Sequence, residues 1–309
     1  MINTQIFEKV CKMSQKELKE YCWKLLCKTH DEVQYHADFI YAKGTFPVLL
    51  VAHLDTVHKH APRKFVYDKQ KQSISSPQGI GGDDRCGVFM IFEILKKYNC
   101  SVLFCEDEEI GGIGASAFIK DESAKNLDVR YIVELDRRGY NDAVFYDCAN
   151  YDFEDFITED FYKTAYGTFS DISIICPAVK IAGVNLSCGY YGAHTLLEYV
   201  VLPEMQAGID NVCKLLERTD ASVQYEYVEA PRKYTTVYTN WRDYLRDDSK
   251  HLYCIEYAIE DGSTDWDYVY AINDDEAVGK FMARNQTTAY WQIIDLFVDD
   301  TDEMAAYSY

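Results

Sequence analysis

Three observations predict an α/β fold for most of this chain, a mixed and mostly parallel sheet with helices on both faces. Strand-like apolar runs alternate with helix-like runs, the order that builds a sheet covered on its two sides. One run, "FPVLLVAH", is apolar almost throughout and so reads as a strand buried on both faces. Carboxylates, histidines and glycines gather directly after such runs, where ligands collect in open α/β sheets.

The elements follow in order. Residues 14–27, "SQKELKEYCWKLLC", read as a helix. Ser14 and Glu17 form a capping-box signature, and Leu18, Tyr21, Cys22, Leu25 and Leu26 recur at helical spacing. Two strand-like runs come next, "EVQYHADFIYA" and "FPVLLVAH". Residues 87–98 read as a buried helix, 101–106 as a strand, "GASAFIKDE" as a short helix and 130–136 as a strand. Residues 203–218 form an amphipathic helix with Pro203 in its first turn. Composition shifts near residue 220: the last 90 residues hold 12 of the 26 tyrosines and three of the four tryptophans, but one cysteine. Strand, strand, helix, strand is the reading there. The domain division is therefore 1–225 for a main domain and 235–309 for a small aromatic-rich α+β module.

Composition narrows the function. A net charge of −20 argues against nucleic acid, whose binding rests on Lys and Arg. No apolar run approaches the length of a membrane span, so no membrane partner is expected. The N-terminus lacks the apolar core of a signal peptide. The 11 cysteines are odd in number, scattered and without a C-x-x-C pair. That suits reduced, buried thiols and a cytoplasmic location.

Five stretches combine strand ends with carboxylate or imidazole: "AHLDT" (52–56), "GIGGDDRCG" (79–87), "CEDEEIGGIGA" (105–115), "VELDRRG" (133–139) and "GYYGAHT" (189–195). Singly each is weak, because a lone His is commonly a hydrogen-bonded core residue and an acidic run a solvated turn. Together they supply one bridging aspartate, two histidines and two further carboxylates. Two divalent cations sharing a bridging carboxylate need about that inventory. His58 and His60, in "HKHAPRK", lie past the strand and read as a solvated loop.

The order H-x-D-T, G-x-D-D-x-x-G, D-E-E-x-G, L-D and G-Y-x-x-x-H-T resembles the co-catalytic zinc exopeptidases, peptidase families M20, M28 and M42, over residues 45–218. The resemblance implies a phosphorylase/hydrolase-like fold and two Zn2+ per chain, with Co2+ or Mn2+ as alternatives. It implies His53, Asp83, Glu109, Asp136 and His194 as metal ligands, with Asp83 bridging. Asp55 would orient His53, and Glu108 would be the general base. It also implies a cis peptide between Asp83 and Asp84. The intervals from Asp136 to His194 and from His53 to Asp83 are too short for an inserted lid domain, so the layout is nearest to M28 aminopeptidases.

Substrate contacts are expected from Ser170 and Asp171, with Asp171 meeting an α-amine. Tyr190 and Tyr191 are candidates for oxyanion donors. Arg137 is a candidate for a substrate carboxylate, or else pairs with the acidic surface. Glu198 either supports His194 or is exposed. The function expected is a two-zinc exopeptidase, an aminopeptidase acting on short peptides. The alternatives are a dipeptidase, a carboxypeptidase, an N-acyl amino acid deacylase, or a metal-stabilised binding protein without catalysis. A homo-oligomer through the C-terminal module is a further expectation.

Overall fold

A computed structural model describes residues 2–230, 251–258, 264–271, 274–284 and 292–298. It divides into two units, 1–230 and 231–309.

The first unit opens with helices α1 (Thr4–Cys11) and α2 (Gln15–Leu26). The capping box is present: Ser14 accepts from the Glu17 amide while the Glu17 carboxylate accepts from the Ser14 amide. The run expected to be one strand, "EVQYHADFIYA", is a hairpin of β1 (Glu32–Tyr35) and β2 (Phe39–Lys43). Then come β3 (Phe46–His53), β4 (Val66–Asp68), β5 (Ser73–Ser75), α3 (Gly82–Ile94), β6 (Cys100–Cys105), α4 (Ile113–Phe118), α5 (Glu122–Lys125) and β7 (Tyr131–Arg137). The rest is β8 (Asp142–Val144), α6 (Tyr151–Thr158), β9 (Lys163–Thr164), α7 (Asp171–Val179), β10 (Gly183–Ser187), β11 (Tyr190–Tyr191), β12 (Tyr199–Val201) and α8 (Leu202–Glu217).

Eight strands form the main sheet in the order β1-β2-β6-β3-β7-β10-β8-β9. Its centre is parallel: β6, β3, β7 and β10 run the same way. The fold class is thus α/β, mixed and mostly parallel. Helices pack on both faces, and β3 shows why its sequence is apolar throughout. Val48, Leu50 and Ala52 join the core with α1, α3 and α8, while Leu49 and Val51 join the opposite core with α4 and α7. A strand alternates faces residue by residue, so two covered faces demand an unbroken apolar run.

The chain leaves β3 for β6 on one side, whereas it leaves β7 for β10 on the other. That makes the gap between β3 and β7 the topological switch point, where a crevice opens at the carboxyl ends of the strands. His53 ends β3, and Asp136 is near the end of β7.

A small antiparallel sheet, β11-β12-β5-β4, carries the loop after β11. The second unit has strands β13 (His251–Ala258), β14 (Thr264–Ala271) and β15 (Gln292–Val298) in the order β14-β13-β15, with helix α9 (Asp274–Arg284). Tyr253, Ile255, Val269, Ala271, Ala277 and Phe281 form its core. The stretch expected to link the domains lies partly outside the described residues.

Candidate metal centre

Five side chains from five segments meet at the switch point. His53 Nε2 lies 3.0 Å from Asp83 Oδ1 and 3.4 Å from Asp136 Oδ1. His194 Nε2 lies 3.2 Å from Asp83 Oδ2 and 3.1 Å from Glu109 Oε2. The two oxygens of Asp83 thus face two different imidazoles. Two groups that share Asp83 result, His53–Asp83–Asp136 and Asp83–Glu109–His194, each able to offer three ligand atoms to one ion; His53, Glu108 and Glu109 form a third such group. Two donors about 2.1 Å from one tetrahedral zinc stand about 3.4 Å apart, close to the separations seen. Glu109 Oε1 is buried with no hydrogen-bond partner. An orphaned buried carboxylate oxygen inside such a set suits a cation.

Asp55 does two jobs. Its Oδ1 lies 3.1 Å from His53 Nδ1, which directs Nε2 toward the acids. The same carboxylate accepts from the amides of Glu108 (3.1 Å) and Glu109 (3.0 Å), so it also sets the acidic loop. The alternation His53–Leu54–Asp55 lets both polar side chains share one side of the chain.

The acidic run Glu106–Glu109 is divided in two. Glu106 pairs with the buried Lys19, and Gln15 donates to Glu106 and Asp107, so α2 holds the first half. Glu108 and Glu109 enter the site.

The Asp83–Asp84 peptide is cis. Asp83 and Asp84 depart from helical geometry although they open α3. Asp84, fully buried, accepts from the His53 amide (3.2 Å) and the Gly87 amide (2.8 Å). His194 has φ +65°, a backbone state few non-glycine residues adopt and one that clusters at functional sites.

Electrostatics sort the acids. Burial pushes the Glu108 carboxyl well above its ordinary value, His53 opposing. Burial and the neighbouring Asp83 push Asp136 up to about 6, against the pull of His53. Burial would also raise Asp83, but contacts with His194 and His53 hold it low. Both imidazoles rise despite burial, His53 through Asp136 and Asp55, His194 through Glu109 and Asp83.

Residues 40–174 match the model of peptidase family M28. Solved structures share the fold at low identity. The aminopeptidase PepT from Bacillus cereus ATCC 10987 superposes with a TM-score of 0.56 at 13% identity, over 69% of this chain and 97% of that one. A tripeptidase from Staphylococcus aureus subsp. aureus Mu50 gives 0.55 at 12%, over 69% and 96%. An aminopeptidase from the archaeon Desulfurococcus kamchatkensis gives 0.54 at 14%, over 70% and 95%. No curated protein matches by sequence. The fold of the chain is that of these aminopeptidase and tripeptidase structures. The matched segment, 40–174, is of the M28 peptidase type.

Several expected substrate contacts are placed differently in this chain. Ser170 precedes α7 and Asp171 opens it. The Ser170 hydroxyl lies within hydrogen-bonding distance of both Glu134 and Asp136 (2.9 Å to Asp136 Oδ2). Asp171 is wholly enclosed, and neither oxygen has a hydrogen-bond partner. A substrate amine needs an accessible carboxylate, so that contact is not supported by its position. Burial, with His53 opposing, pushes Asp171 up to about 7.

Tyr190 donates to the Asp136 carbonyl (2.9 Å), which fixes the end of β7 rather than leaving the hydroxyl for an oxyanion. Tyr191 donates to Glu204 (2.6 Å) and stacks on Tyr199. Arg137 pairs with Asp142, Nε and Nη2 both 3.2 Å from one carboxylate oxygen. That is the acid-pairing alternative. His58 is not solvated: its ring is buried and sits 2.9 Å from Glu198. Glu198 is buried too, and bonds near Asp83 rather than at His194.

Sequence reasoning passed over Glu134, Asn185 and Arg85. Asn185 accepts from the Asp136 amide (2.9 Å) and donates toward Tyr146 (3.1 Å). Buried Arg85 donates to the Leu54 carbonyl and, from Nη2, to that of Met13 (3.2 Å), tying the turn between α1 and α2 to the end of β3. Glu134 could have been flagged, as a lone acid inside the apolar run "YIVEL". Asn185 and Arg85 carry no local signal.

Proposed function

We propose that this peptidase removes residues from the amino ends of short peptides, using two zinc ions held by His53, Asp83, Glu109, Asp136 and His194. The observation that carries the reading is Asp83, whose two carboxylate oxygens each address a separate histidine-and-carboxylate group. Two ions there would supply a water of lowered pKa and a counter-charge for the oxyanion.

The chain's own residues do the rest. Glu108 is enclosed beside the ligands, and its raised pKa lies in the sense that suits proton transfer near neutral pH. It takes the proton of the attacking water and returns it to the leaving nitrogen. Asp55 keeps His53 in one tautomer and holds the Glu108 backbone in register. Ser170, Asn185 and Tyr190 hold Asp136. Arg137 is engaged by Asp142, which favours attack at the amino end over recognition of a terminal carboxylate. Enclosed Glu108 favours catalysis over a binding role.

The test is metal content together with a substrate panel. Protein purified without added metal should hold near two zinc per chain, lost in Asp83→Ala. Zinc-loaded protein should cleave short peptides with free amino ends and spare those with acetylated ones. Cleavage of acetylated substrates would point to the deacylase or carboxypeptidase alternatives. One ion per chain, or none, would sink the two-metal reading.

A further inference from the structure

Glu198 lies outside the ligand set, yet it reaches the bridging aspartate. It is wholly buried. Its Oε1 accepts from the Asp83 amide at 2.9 Å, and its Oε2 from the Gly81 amide at 2.8 Å. Oε2 also lies 2.9 Å from His58 Nε2. One carboxylate therefore binds two amides of the turn that carries Asp83, and an imidazole from the loop after β3.

Two glycines make room for this contact. A Cβ on Gly79, at φ +77°, would fall 2.2–2.5 Å from the His58 ring. A Cβ on Gly82 would meet Tyr190 at 2.9 Å and Val200 at 3.0 Å, and stand 3.2 Å from Glu198 Oε1. Imidazole, turn and carboxylate are packed to a fit that side chains at either position would break.

Glu198 also follows His194 by one short turn, in which its amide donates to Thr195 (3.3 Å). Its carboxylate thus connects three ligand-bearing segments: the end of β3 with His53, the turn with Asp83, and the loop with His194. A buried carboxylate is costly unless donors surround it. Here the donors belong to the main chain that must hold Asp83 between two ions.

We propose that Glu198, braced by His58, is the positioning residue of the bridging aspartate, and that it couples the two halves of the centre. The inference rests on the two-metal reading above. Without the brace, one ion can still be held by His53, Asp83 and Asp136. The shared geometry required for the second is lost.

Zinc is titrated calorimetrically into the metal-freed, full-length protein. Wild type, Asp83→Ala, Glu198→Ala, Glu198→Gln and His58→Gln are compared, and each is melted with and without zinc. Partners that orient metal ligands are worth about 10–100-fold in metal affinity. Glu198→Ala should therefore weaken the second zinc about 10–100-fold and the first much less. Glu198→Gln keeps one acceptor and should fall between. The rise in Tm on adding zinc should shrink in Glu198→Ala and His58→Gln. A merely structural Glu198 would lower Tm equally with and without zinc and leave both affinities unchanged, which overturns the proposal while the two-metal reading stands. If Glu198→Ala does not fold, unchanged zinc affinity in folded His58→Gln overturns it equally. Failure of wild type to bind two zinc ions overturns both.

Discussion

Glu108 and Glu109 are neighbours to which the proposed function gives separate tasks, and a single substitution separates them. Glu108→Gln keeps the size of the side chain and removes its basicity. Proton transfer of this kind contributes about 10²–10⁴-fold. The variant should lose about that much in kcat and keep its zinc, as read by steady-state kinetics beside elemental analysis. Asp171 offers a second residue-scale test. Its ordinary carboxyl value is 3.8, and burial pushes it to about 7. Between those values the folded protein holds a proton that the unfolded chain has released. Stability contributed at Asp171 therefore falls as pH rises through that interval. Asp171→Asn has no charge to bury. The metal-free variant should exceed metal-free wild type at pH 8, by an amount on the order of a few kcal/mol, and match it near pH 4. Urea unfolding at the two pH values reads the difference, and an equal effect at both would show that Asp171 carries no such penalty.

Helix α3 lies close against β7, and Gly87 is the reason it can. A Cβ there would stand 1.8 Å from the Leu135 carbonyl and 2.6 Å from the Asp84 carboxylate. The obstacle is backbone, so it cannot swing aside. Gly87→Ala should push α3 off the sheet and disturb Asp83 at its start and Asp136 on β7 together. Thermal melting should show a loss of stability, and zinc titration a weaker centre. A variant with wild-type Tm would contradict the close packing. Helix α2 acts at longer range. Its capping box sets Gln15, and with Lys19 it holds Glu106 and Asp107. Ser14→Ala should cost about 1 kcal/mol by denaturant unfolding.

At the scale of the whole molecule, every residue of the centre lies within residues 1–230, which have their own two-sided core. The second unit has a core of its own. On the proposed function, the chain cut after Ala230 should therefore bind zinc and cleave peptides as the full chain does, with kcat/KM within a few-fold of it. Loss of zinc on truncation would place the second unit's role in the centre itself. Among the described residues no helix is long and apolar enough to cross a membrane. Ten cysteines there are free, most of them buried.

Local chemistry made much of this protein legible. Unbroken apolar runs mark β3 and β6 because both faces of a central strand are covered. The Ser14–Glu17 pair marks a helix start because it satisfies amides within one turn. His53, Asp55, Asp83, Glu108, Glu109, Asp136 and His194 stood out because ligands crowd strand ends, and the structure brings all seven together. The remainder depended on contacts distant in sequence. Neither helix α1 nor helix α7 had a reading. Asp171 and Tyr190 look like substrate groups until packing encloses one and commits the other to Asp136. His58 and Glu198 are 140 positions apart and each looks solvated alone. Only the tertiary fold closes them around the turn of Asp83, because a buried carboxylate is tolerable where main-chain donors and an imidazole converge on it.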